Sequence, residues 1–112
     1  MKKGVLIERI HEVMAEVRCV SVDFEVKGKV QGVFFRKFTK QEADKLKLNG
    51  WVENQADKNT VKGTIIGPEK SISAIKLWLK TKGSPKSTIA SATFTNEQAV
   101  KDFKYTEFDI KR

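Results

Sequence analysis

Cysteine and histidine are nearly absent from this chain, which has one of each, Cys19 and His11, in 112 residues. A single cysteine cannot form an internal disulfide, and a lone thiol is typical of a protein from a reducing compartment. A cysteine nucleophile would need a neighbouring histidine, and His11 lies outside the main domain outlined below. No cluster of His, Cys, Asp and Glu has metal-ligand spacing, so we expect a site without a metal ion or cofactor.

Long apolar runs are also absent. No stretch approaches the about 18 residues that a membrane-spanning helix requires. Acidic residues, among them Glu8, Glu12 and Glu16, interrupt the N-terminal segment. This pattern argues against a secretory signal and against a transit peptide, which is poor in acids. We therefore expect a cytoplasmic protein without a membrane partner.

The charge is strongly one-sided, with 22 basic and 14 acidic residues and a net charge of +8. Such an excess attracts anionic partners over long distances. It does not identify the anion: nucleic acid, an anionic membrane surface and a small phosphorylated metabolite all satisfy it.

The N-terminal segment has apolar residues at helical spacing. Over residues 4–18 this spacing predicts a short amphipathic helix, which either docks loosely or serves as a targeting or partner-binding segment. We therefore divide the chain into an N-terminal extension, residues 1–18, and one domain, residues 19–112. The apolar positions of the extension are Leu6, Ile10, Val13, Met14 and Val17.

Alternation of apolar and polar residues predicts five strands in the domain. They cover residues 20–26, 50–54, 60–67, 90–94 and 106–110. The fourth has its apolar positions at Ala90, Ala92 and Phe94.

Two helices are predicted between these strands. The first covers residues 34–46, with Phe35, Phe38 and Leu46 as its buried stripe, and the second begins at Pro68. Because each helix has a single apolar stripe, both must cover one face of a mostly antiparallel sheet. The order predicts an α+β, ferredoxin-like sandwich, βαββαβ with a further C-terminal strand.

The loop between the first strand and the first helix is the most informative segment. Gly28 and Gly32 allow backbone turns that a side chain would block, and successive N–H groups can then form a concave anion site. The helix start adds free donors and partial positive charge. Arg36, in the first helical turn, could reach the same anion with its planar fork. On these grounds alone, a loop that merely turns the chain beside a solvated Arg36 is an equal alternative.

The sequence resembles the acylphosphatase family over roughly residues 20 to 112. The resemblance lies first in Gly28-Lys29-Val30-Gln31-Gly32-Val33-Phe34-Phe35-Arg36 and in Gly50-Trp51-Val52-Glu53-Asn54. It continues in Thr60-Val61-Lys62-Gly63, Gly67-Pro68, Gly83-Ser84-Pro85 and Tyr105-Thr106-Glu107-Phe108.

The resemblance implies hydrolysis of acyl phosphates to a carboxylate and inorganic phosphate, without a metal and without a covalent phosphoenzyme. It implies that Arg36 binds the phosphoryl group and that Asn54 positions the attacking water. The phosphate loop would consist of Gly28, Lys29, Val30, Gln31, Gly32 and Val33. We expect a monomer that acts on a small molecule and binds no nucleic acid.

Three features depart from the family pattern. Lys47 follows the first helix where the family usually has glycine, Gln55 follows Asn54 where it usually has threonine, and the turn over residues 55–59 is one residue longer. Gln55 and the longer turn leave a weakly active relative that keeps the anion site as one alternative. An RNA-binding domain is another, favoured by the charge, but it would need stacking aromatics at alternate sheet positions.

Overall fold

The computed structural model describes residues 18–101 and 107–111. The helix predicted over residues 4–18 lies outside the described residues, apart from Arg18, and so does Thr106 of the predicted last strand. The elements are β1 (Cys19–Lys29), α1 (Phe35–Lys45), β2 (Asn49–Asn54), β3 (Thr60–Pro68), α2 (Glu69–Thr81), β4 (Thr88–Val100) and β5 (Phe108–Lys111).

The five strands form one sheet in the order β4-β1-β3-β2-β5. All neighbours are antiparallel except β2 and β5, which are parallel. The predicted α+β, ferredoxin-like sandwich is confirmed, with α1 packed on β2 and β5 and α2 on β1, β3 and β4. No helix in the described ranges is both long and apolar enough to cross a membrane.

The core lies between the helices and one face of the sheet. Alternate residues of β1, from Val20 to Val26, are buried there, as the period of two predicts. Ile72, Ile75 and Leu79 of α2 cover the same face. The opposite face of the sheet is polar. The position of the core therefore determines which side of each strand end is available to form a site.

Helix α1 begins one residue later than predicted, because Phe34 adopts a left-handed conformation (φ 59°). Phe34 is therefore the N-cap residue and not part of the helix. Phe35 is fully buried, as expected, whereas Phe38 and Leu46 are only half-buried. Thr39 is buried instead, because its Oγ1 donates to the Phe35 carbonyl at 2.8 Å and so satisfies its polar atom within the helix.

Strand β4 is much longer than the predicted 90–94, and the expected inward position of Ala90 is wrong. A bulge shifts the register of β4 against β1: Lys27 pairs with Ser91, but Gly28 pairs with Ile89. Ala90 is the extra residue and is exposed, so Ile89 takes the half-buried position. Gly28 suits this bulge, because a Cβ there would lie 2.2 Å from the Thr88 carbonyl oxygen.

Candidate active site

A cavity of about 520 Å³ opens where β1 passes into α1. Six of its lining residues come from the loop and the first turn of α1: Val30, Gly32, Phe34, Phe35, Arg36 and Lys37. Asn54, at the end of β2, and Ile110, in β5, complete the lining. The fold therefore brings Arg36 and Asn54, the two residues singled out from the sequence, to one cavity.

The start of α1 supplies main-chain donors to this cavity. The first backbone hydrogen bond of the helix runs from the Phe38 N–H to the Phe34 carbonyl at 3.0 Å. The N–H groups of the three preceding residues, 35–37, therefore have no acceptor within the helix. No acidic residue occupies the first turn, so the partial positive charge of the helix start is not offset locally.

Gly32 shapes the loop in front of the helix. Its φ of +74° lies in the left-handed region, which favours glycine, and no atom lies within 4 Å of the position that a Cβ would take. The backbone conformation, rather than lack of space, is thus what requires glycine here. The result is a main chain that runs uncovered along the cavity wall.

Arg36 is held at the edge of the cavity by the last strand. Its Nη1 donates to the carbonyl oxygen of Lys111, in β5, at 3.3 Å. A guanidinium carries five N–H donors, so this single bond orients the group and leaves donors for a ligand. The sheet order explains the contact, because β5 pairs with β2 and therefore ends beside Asn54.

Asn54 lines the cavity and carries an acceptor atom without a partner in the described part of the chain. Its Oδ1 is buried and accepts no hydrogen bond from any group within 18–101 and 107–111. A buried polar atom without a partner is uncommon and costly, so such an atom commonly marks a site for a water or a ligand. An amide oxygen in this setting can accept a hydrogen bond from water and fix its orientation.

Gln31 serves the site indirectly. Its side chain does not line the cavity; its Nε2 donates to the carbonyl oxygens of Gln55 and Thr60, both at 2.8 Å. These bonds join the loop to the β2–β3 hairpin that carries Asn54. The side chain of Gln31 is thus a link between two parts of the site.

The other loop residues named from the sequence contribute differently. Gly28 lies within β1, and its N–H donates to the Asn59 carbonyl at 3.0 Å. Lys29 ends β1 and is exposed, and Val33 is buried with 8% of its surface accessible. Of the six residues, Val30 and Gly32 line the cavity itself.

The hairpin next to Asn54 is stabilised by Asp57. Its carboxylate accepts from the Thr60 hydroxyl at 2.7 Å and from the Asn59 N–H at 2.9 Å. These two hydrogen bonds lower the pKa of the exposed Asp57 carboxyl below its ordinary value. The longer turn over residues 55–59 is therefore an ordered one, closed by its own side chain.

Four lining residues were not assigned to the site from the sequence: Phe34, Phe35, Lys37 and Ile110. The first three lie within two residues of Arg36, so proximity in the chain was an available signal. Ile110 had none, because only the parallel pairing of β5 with β2 brings it there. Among the described residues, no three His, Cys, Asp or Glu side chains are grouped so that they could hold a metal ion.

Comparison with known proteins gives one consistent result. The Acylphosphatase family model matches residues 22–110. Acylphosphatase-1 of Xenopus tropicalis is 50% identical over 97 residues, covering 87% of this chain and 98% of that protein. Human acylphosphatase-1 is 50% identical over 91 residues, covering 81% of this chain and 91% of that protein.

Solved structures agree with the sequence comparison. The crystal structure of acylphosphatase from Bacillus subtilis superposes with a TM-score of 0.75 at 34% identity, covering 83% of this chain and 99% of that one. An acylphosphatase from Coxiella burnetii gives a TM-score of 0.74 at 29% identity, covering 84% of this chain and 94% of that one.

Proposed function

Because this chain belongs to the acylphosphatase family, we propose that it hydrolyses the carboxyl–phosphate bond of acyl phosphates by direct attack of water on phosphorus. The products are a carboxylate and inorganic phosphate. The observation that carries the proposal is the shared cavity, which is lined by Arg36, by the start of α1 and by Asn54, whose buried Oδ1 has no hydrogen-bond partner among the described residues.

The first task of the site is to hold the phosphoryl group. Its charged oxygens accept hydrogen bonds from the N–H groups at the start of α1 and from the loop around Gly32. The guanidinium of Arg36 supplies two parallel charge-assisted hydrogen bonds from the side. Donors that are already in position stabilise the charge of the transition state without reorganising.

The second task is to orient the water. The Oδ1 of Asn54 accepts one of its hydrogen bonds and directs the water oxygen at phosphorus, in line with the bond that breaks. Asn54 has no useful pKa, so its role is to position the water and not to remove its proton.

The bond changes need no protein nucleophile and no metal. The water oxygen bonds to phosphorus while the bond from phosphorus to the acyl oxygen breaks, and the carboxylate leaves with the electron pair. A phosphoryl oxygen takes the proton of the water. A mixed anhydride has a good leaving group, so positioning and electrostatic stabilisation are the main requirements.

Two further expectations belong to this proposal. We place the protein in the cytoplasm, on the support of its single cysteine. We also expect a monomer.

RNA binding has less support than acyl phosphate hydrolysis. It would need several aromatic rings on the open face of the sheet. Within the described strands that face carries one, Trp51, whose ring lies 4.3 Å from the Nζ of Lys111.

The test is the release of phosphate from benzoyl phosphate by the purified full chain, with a chelator present throughout. We expect saturable turnover that the chelator does not reduce. Phosphate binding without turnover would identify a relative that keeps only the anion site. Turnover that disappears with the chelator would overturn the metal-free reaction.

A further inference from the structure

Phe34 combines two unusual features at the cavity wall. It has a left-handed backbone (φ 59°), a conformation that is a genuine outlier for a bulky residue. Its side chain is also 71% exposed, so packing in the core does not explain why an aromatic residue stands here. Strained residues of this kind cluster at functional sites, where the surroundings hold them in place.

The position of Phe34 in the cavity suggests what it contacts. The described residues include two exposed large apolar side chains, Phe34 and Leu77, and only Phe34 lines the cavity. Val30 and Phe35 also line it, but each is 1% exposed and offers little surface to a ligand. The accessible apolar surface of the wall therefore comes mainly from the Phe34 ring, with Ile110 half-buried in β5.

In-line attack determines which part of the substrate can reach this ring. The leaving acyl group lies on the side of phosphorus opposite to the water. It therefore points away from the Oδ1 of Asn54 and out of the site that binds the phosphoryl group. The ammonium of Lys37 lies 5.7 Å from the centroid of the Phe34 ring, within the range of a cation–π contact that helps to hold the ring in place.

We propose that Phe34 is the specificity residue of this site and receives the acyl group, so that the enzyme favours acyl phosphates with aromatic or other apolar acyl groups. This inference rests on the proposed function. Contact between the two flat apolar groups, together with removal of their surfaces from water, supplies the preference. A small acyl group such as acetyl is too short to gain from the same contact.

The test compares benzoyl phosphate with acetyl phosphate in wild type and in Phe34→Asn. Asparagine tolerates a left-handed backbone, so the variant removes the ring without adding strain. Leu77→Asn is the matched control, since it removes the other exposed apolar side chain, on α2. Phe34→Leu keeps an apolar side chain at the same backbone position.

For Phe34→Asn we expect the KM for benzoyl phosphate to rise by roughly ten-fold, while the KM for acetyl phosphate changes less than about two-fold. The inhibition constant of inorganic phosphate stays as in wild type, because the residues that bind the phosphoryl group are unchanged. Phe34→Leu falls between the two, and Leu77→Asn matches wild type for both substrates.

Failure of the role proposed for Phe34 can be distinguished from failure of the proposed function. Equal changes of KM for both substrates, or no change for either, would overturn the role of Phe34 while leaving acyl phosphate hydrolysis in place. A wild-type protein that hydrolyses neither substrate would overturn the proposed function, and this inference with it.

Discussion

The side-chain Nε2 of Gln31 donates to the main-chain oxygen of Gln55 at 2.8 Å. It thereby joins the glycine loop to the residue that directly follows Asn54. A second bond from the same nitrogen, to the Thr60 oxygen at 2.8 Å, reaches the other strand of the hairpin. The glycine loop and the hairpin that carries Asn54 are thus joined by one carboxamide, and the side chain of Gln55 takes no part in these two bonds.

Replacing Gln31 tests this link. Gln31→Met keeps the volume but removes both hydrogen bonds, so we expect the free energy of unfolding to fall by about 1–2 kcal/mol. We also expect kcat for benzoyl phosphate to fall by roughly ten-fold, because a small displacement of Asn54 misaligns the water. Urea denaturation and steady-state kinetics measure the two effects. The control is Gln55→Met, which keeps the main-chain acceptor and should alter neither; similar losses in both variants would refute the link.

Arg36 is expected to act through the geometry of its guanidinium and not only through its charge. Arg36→Ala should reduce kcat/KM for benzoyl phosphate by at least about 10²-fold. Arg36→Lys keeps the charge but loses the planar fork, so it should restore little of that activity. Lys45→Ala is the control for charge, because it removes one positive charge from the far end of the same helix and breaks only an exposed ion pair with Glu42. Full activity in Arg36→Lys would show that charge alone suffices.

Lys47 has a φ of +61°, so the second residue after the end of α1 is left-handed, as it would be with the glycine usual in the family. Lys47→Gly should therefore raise the free energy of unfolding by up to about 1 kcal/mol without altering turnover. Gln41→Gly, at an exposed position inside α1, should lower it by about 0.5–1 kcal/mol. Denaturant melts of both variants give the comparison, and a destabilised Lys47→Gly protein would contradict the explanation.

We expect Asn54 to contribute to activity but not to the stability of the fold. Since its buried Oδ1 has no hydrogen-bond partner among the described residues, Asn54→Ala should change the free energy of unfolding by less than about 1 kcal/mol. Turnover of benzoyl phosphate should fall by about 10²–10³-fold, as on loss of one preorganised polar group. A large loss of stability would instead assign Asn54 a structural role.

The sequence predicted the framework of the site well, because its signals are local. Alternation in Val20–Val26 fixed the inner face of β1, and the glycines before Arg36 indicated a loop at a helix start. The meeting of Arg36 with Asn54 in one cavity was expected from the resemblance to the acylphosphatase family, which implied a shared site for the two residues, and the cavity contains both.

Other details depend on contacts that no local pattern encodes. The bulge that exposes Ala90 arises from pairing between β4 and β1. The left-handed conformation of Phe34 contradicts the preference of a bulky residue and persists only through its surroundings. The direction of the Gln31 side chain depends on a hairpin more than 20 residues away in the chain.

The central claim is that binding of the phosphoryl group and positioning of the water are separate tasks of Arg36 and Asn54. Calorimetric titration of inorganic phosphate into wild type, Arg36→Ala and Asn54→Ala tests it most directly. We predict that Asn54→Ala binds phosphate about as tightly as wild type despite its lost turnover, whereas Arg36→Ala binds at least about ten-fold more weakly. Equal loss of phosphate binding in both variants, or unchanged binding in Arg36→Ala, would contradict the account.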